Sequence, residues 1–105
     1  MLTVKVEGVV VAFVSFTFII DECQIINVAV DPQYRRQGYG QLVLKELISH
    51  CRKMGGKKFF LEARESNISA ISLYRKLGFV EVGISKNHFS LPRENAILMN
   101  LEIEE

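Results

Sequence analysis

The chain alternates between two hydrophobic periods, and the switches between them mark its elements. Residues 2–6 alternate weakly, and Glu7-Gly8 reads as a turn. Val9 to Ile20 is a long run of β-branched and aromatic residues, which predicts a strand closed by the turn Asp21-Glu22. Cys23 to Val30 is apolar at nearly every position, the pattern of a central strand covered on both faces. From Tyr39 the period lengthens. Leu44, Leu47, Ile48 and Cys51 fall at i, i+3, i+4 and i+7, with Lys45, Glu46, Arg52 and Lys53 opposite them. That spacing predicts an amphipathic helix, ended by Gly55-Gly56.

Lys58 to Ala63 (KFFLEA) returns to a buried-strand pattern. Strand, helix and strand in succession imply a parallel crossover. Ser66 or Asn67 is placed to cap a second helix whose inner stripe is Ala70, Leu73, Tyr74 and Leu77, stopped by Gly78. Phe79 to Val82 predicts a short strand, Gly83 to Arg93 a polar loop, and Asn95 to Ile103 a final strand. The expected order is β-β-β-α-β-α-β-β, an α/β fold around a sheet of mixed strand direction, with residues 1–105 as a single domain.

Composition narrows the field. With 105 residues and 49% of them apolar, one small core is expected. A formal net charge of +1 gives no reason to expect nucleic acid or an anionic membrane as partner. No apolar run is long enough to span a bilayer, and residues 9–20 lack the flanks of a signal peptide, so the expected compartment is the cytoplasm. Cys23 and Cys51 stand far apart and read as two buried, reduced thiols rather than a disulfide or metal site.

The chemistry concentrates in residues 27–41, NVAVDPQYRRQGYGQ. A strand ends at Val30, Asp31-Pro32 breaks it, and Gln37-Gly38-Tyr39-Gly40 leads into the first helix. Unpaired N–H groups at a helix start, the positive end of its dipole, and Arg35 and Arg36 alongside would together attract phosphate. Gly38 and Gly40 would let a ligand come close. The Walker and dinucleotide-binding patterns are both absent here.

Arg36-Gln37-Gly38-Tyr39-Gly40 resembles the acetyl-CoA loop of the GNAT family of N-acetyltransferases. Asn27 to Pro32, Leu61-Glu62-Ala63-Arg64 and Asn67 to Phe79 resemble further motifs of that family in the same order. The likeness runs from about residue 9 to the end and is strongest to members that acetylate a protein N-terminus. It implies acetyl-CoA as co-substrate, held through its diphosphate by Arg35, Arg36, Gln37, Gly38, Tyr39, Gly40 and Gln41. It implies that the backbone of Val28, Ala29 and Val30 holds the pantetheine arm and acetyl group, where two central strands splay apart. Asn67 would contact the cofactor or simply cap its helix.

Acetyl transfer to an amine needs a base, because alkyl amines are mostly protonated at neutral pH, and an acid for the departing thiolate. Glu62, a carboxylate at the end of an apolar strand, is the expected base, through a water, on the premise that burial raises its pKa. The other reading is a Glu paired with Lys57, Lys58 or Arg64. Tyr74 resembles the family's acid, with its hydroxyl at the cofactor's sulfur and so also among the cofactor-binding residues, and its ring would pack in the core as well. Residues 84–95 would line the acceptor site, where relatives carry an aromatic pair and this chain has His88-Phe89. His88 reads as solvent-facing, with a second base or a peptide contact as alternatives.

The family fold opens with a strand and two helices that this chain lacks. Their absence would leave a sheet face bare, so a partner is expected over it, most simply a second copy of the chain in a homodimer. The acceptor implied is a primary amine, above all a protein N-terminus. A small-molecule amine, or a non-catalytic acetyl-CoA-binding module, are the alternatives.

Overall fold

The computed structural model describes residues 1–103. Strands β1 (Leu2–Val6), β2 (Val9–Ile19) and β3 (Glu22–Val30) form an antiparallel meander. A single 3-10 turn (Pro32–Tyr34) leads into helix α1 (Tyr39–Lys53). Strand β4 (Lys58–Arg64), helix α2 (Ile68–Lys76) and strands β5 (Val80–Ser90) and β6 (Arg93–Glu102) complete the expected order. The six strands make one sheet in the order β1-β2-β3-β4-β6-β5, antiparallel throughout except where β3 meets β4.

Both helices pack on one face. Val43, Leu44, Leu47 and Cys51 of α1 and Ile71 of α2 share a core with Val14, Cys23, Ile25, Phe59, Leu61, Ala63, Ile97 and Met99. Alternation then turns Phe60, Glu62 and Arg64 of β4 to the other face, which carries no helix among the described residues. The expectation that β3 is covered on both sides is therefore corrected: its buried positions are Cys23 and Ile25, while Gln24 and Ile26 are exposed. In α2 the residue most deeply buried is Ile71, and the predicted stripe of Ala70, Leu73, Tyr74 and Leu77 is half-buried around it. The α2 boundary is as read, with the Asn67 side chain accepting from Ala70 N at 3.3 Å.

Two irregularities position the site. Opposite the step from Ser15 to Phe16, β3 carries one extra residue, Ile26. The bulge twists β3 just past its last pairing with β4, which joins Gln24 to Phe60. Beyond it the two strands separate. The second irregularity overturns the polar loop expected at Gly83 to Arg93. β5 continues through that stretch to Ser90, paired with β6 but with its register broken between Ser85 and Phe89, where Asn87 has φ +54°.

Candidate active site

Separation of β3 from β4 leaves one edge of β3 without a neighbour. Val28, Ala29 and Val30 pair with Val14, Phe13 and Ala12 of β2 on the other edge. In such a ladder the backbone groups point alternately to either side, so half of those at Val28 to Val30 face the gap. A polar gap of this kind demands a hydrogen-bonding occupant, water or ligand.

The gap opens into a cleft of about 700 Å³. Val28, Ala29, Val30, Arg35, Arg36, Gly38, Tyr39, Gly40, Gln41 and Asn67 line it, which brings together most of the residues read from the sequence as cofactor-binding. Two of them stand elsewhere. The Gln37 side chain turns back to donate to the Gln33 carbonyl at 3.3 Å, bracing the 3-10 turn. Tyr74 packs its ring 6.1 Å from that of Phe79, beside the cleft rather than in its wall. Tyr34, Ser69, Ala70 and Leu73 line the cleft without having been read from the sequence as cofactor-binding. The last three sit on the first turns of α2, and only the packing of α2 beside α1 brings them there.

The floor of the cleft is the start of α1. Its N-cap is Gly38, at φ +85°, and no side chain caps the helix. The first N–H groups of a 15-residue helix are thus left as free donors at the positive end of its dipole. The second helix differs, because Asn67 already serves its N-terminus. Arg36 adopts φ +64°, a conformation that costs a non-glycine residue of order 1 kcal/mol. Left-handed residues in such loops direct successive N–H groups into one concavity suited to anions. Arg35 adds its charge, its Nε donating to the Val30 carbonyl at 3.4 Å.

Glu62 is not where a buried base was expected. Its side chain is 41% exposed on the helix-free face, and Lys57, Lys58 and Arg64 are not its partners. Instead its Oε2 lies 2.6 Å from Nε2 of His88, the residue expected to face solvent. Arg64 is engaged with Glu94 at 3.3 Å. Hydrogen bonds from Ser66, and then the Arg64 guanidinium, hold the Glu94 carboxyl below the usual carboxylate range. Burial pushes the Tyr74 phenol up from its ordinary value, so it stays protonated at neutral pH and available as a donor. Glu62 and Tyr74 belong to opposite faces of the sheet, and neither lines the cleft.

This fold, with its splayed parallel pair and uncapped helix start, is that of an acetyltransferase. The model of the acetyltransferase (GNAT) family matches residues 1–79, and the chain belongs to that family. It is 43% identical over 99 residues to the ribosomal protein bS18-alanine N-acetyltransferase of Escherichia coli K12, an alignment covering 92% of this chain and 67% of the relative. A protein of Bacillus subtilis described as a putative enzyme of the same name is 31% identical over 104 residues, covering 99% of this chain and 69% of the relative. The crystal structure of the Escherichia coli ribosomal-protein-alanine N-acetyltransferase superposes with a TM-score of 0.91 at 40% identity, covering 98% of this chain and 68% of that one. The chain thus spans about two thirds of the length of these relatives.

Proposed function

We propose that this domain transfers an acetyl group from acetyl-CoA to the α-amine of a protein N-terminus. The observation that carries the reading is the uncapped start of α1 facing the free edge of β3 across one cleft. The helix start, with Arg35 and Arg36, holds the diphosphate. N–H groups on the free edge of β3 hold the thioester and receive the charge that develops on its oxygen. The acceptor amine enters from the helix-free face, where Glu62 takes its proton through a water. Its nitrogen then bonds to the acetyl carbon, the carbon–sulfur bond breaks, and Tyr74 protonates the leaving thiolate. The relatives named for a ribosomal protein's alanine support a peptide acceptor over a small amine.

Two extensions belong to the same reading. Phe13, Phe60 and Leu98 are only half-buried on the helix-free sheet, which supports a second copy of the chain seated on that face. Sedimentation as a monomer at micromolar concentration would count against it. The cytoplasm is the matching compartment, because a ribosomal protein is made there.

The test is direct. The protein is incubated with acetyl-CoA and a peptide beginning with alanine, and free thiol and the acetylated peptide are measured. Transfer to the peptide's α-amine is the expected result. Binding of acetyl-CoA without transfer to any peptide or small amine would overturn the reading in favour of a binding module.

A further inference from the structure

His88 belongs to a strand that does not adjoin Glu62. β6 lies between β5 and β4, so the two backbones stand about 10 Å apart at the usual strand spacing. Along the row through Glu62 the neighbours are Leu98 on β6 and Gly83 on β5. The contact is made because β5 loses register between Ser85 and Phe89. A break of this kind re-aims a side chain, and here it brings the imidazole over β6 to the carboxylate.

The contact is braced on every side. Ser85 Oγ lies 3.3 Å from the other ring nitrogen, Nδ1. The Phe89 ring stands edge-on to His88 at 4.9 Å, and the Arg64 guanidinium covers Phe89 at 4.2 Å. Arg64 in turn donates to the carbonyls of Pro92 and Leu91 and to Glu94, tying the β5–β6 turn back to β4. Asn87 N donates to the Asn95 side chain at 2.9 Å, fixing the bulge itself. The charged and titratable groups facing the imidazole are therefore Glu62 and, beyond Phe89, the Arg64–Glu94 pair.

At 2.6 Å one proton must lie between Nε2 and Oε2, since two lone pairs would repel. The neutral ring then carries its proton on Nε2 and accepts the Ser85 hydroxyl at Nδ1. Glu62 is 41% exposed and His88 34% exposed. A carboxylate that open to water would sample several rotamers unless something held it. Resting on the function proposed above, we propose that His88 is the positioning residue of the catalytic base. Its Nε2–H holds one oxygen of Glu62 and leaves the other aimed at the water that takes the amine's proton.

Two variants separate this role from a packing or peptide-binding one. His88→Phe keeps a ring against Phe89 and removes the donor. His88→Gln keeps a donor. His88→Phe should lower kcat roughly ten- to a hundredfold, a part of the about 10² to 10⁴ that a general base contributes, with KM unchanged for both substrates. His88→Gln should recover most of kcat. Wild-type kcat in both variants, equal losses in both, or a rise only in the peptide's KM would each overturn the proposal. An independent readout needs no turnover. The ¹⁵N spectrum of the His88 ring should show a proton on Nε2 whose signal moves in Glu62→Gln. If no amine is acetylated but that signal is present, the function has failed and the pair stands. If transfer proceeds and the signal is absent, the pair has failed and the function stands.

Discussion

Replacing Gly40 with alanine should make the protein more stable and its acetyl-CoA binding much weaker. A Cβ at this position would lie 3.5 Å from Leu73 Cδ2 and 3.6 Å from Val30 Cγ2, ordinary contacts that need no rearrangement. Gly40 is the second residue of α1, and glycine in a helix costs up to about 1 kcal/mol against alanine. The unliganded domain should therefore melt a few degrees higher, at roughly 4–8 °C per kcal/mol for a domain near this size. Gly40, Val30 and Leu73 all line the cleft, so the same methyl group occupies space meant for ligand. A phosphate pushed off the helix start loses a charge-assisted hydrogen bond, worth about 1.5–3 kcal/mol. The dissociation constant should rise roughly ten- to a hundredfold. Calorimetric titration with acetyl-CoA and a thermal melt without it measure the two quantities separately. Gly38→Ala is the contrast. Nothing lies within 4 Å of a Cβ there, but φ is +85°, so that variant should lose about 1 kcal/mol of stability. A Gly40→Ala protein that binds acetyl-CoA as the wild type does would refute the assignment of the cleft, because its lack of a side chain would then serve nothing.

Glu62→Gln and Tyr74→Phe should each lower kcat about a hundredfold or more while leaving acetyl-CoA binding unchanged by thermal shift. Loss of binding in either would mean that the residue holds the donor instead. Glu94 has a depressed pKa in the folded state, so its contribution is present above the unfolded carboxyl's value of about 4.3 and fades as pH falls below it. Urea midpoints of wild type and Glu94→Gln should therefore differ at pH 7 and draw together as pH falls below about 4, and a constant difference would contradict this. Cys23 and Cys51 are fully buried, and burial, with Cys51 alongside, pushes the Cys23 thiol up to about 12. Since the thiolate is the nucleophile, a thiol reagent should label neither until denaturant is added. Rapid labelling of the native protein would show that the core opens.

By itself the sequence determined the order of elements, because each is set by local hydrophobic period and local breakers. The stripe on α1, the turn at Glu7-Gly8, the turn read at Asp21-Glu22 and found one residue earlier at Ile20-Asp21, and the Asn67 cap all act within a few residues. One wall of the cleft was legible for the same reason, since the strand, the glycine-bearing turn and the helix start that build it are consecutive in the chain. The tertiary structure decided what depends on distant residues meeting. The gap between β3 and β4 arises from a bulge at Ile26 set by register with β2, which no local pattern encodes. The exposure of Glu62 follows from which sheet face the helices cover. Its partner His88 lies 26 positions away, carried over an intervening strand by a break in register, in a stretch polar enough to read as loop. Hydrophobic period reports the face of an element, whereas register and coverage are properties of its neighbours, and those exist only once the chain has folded.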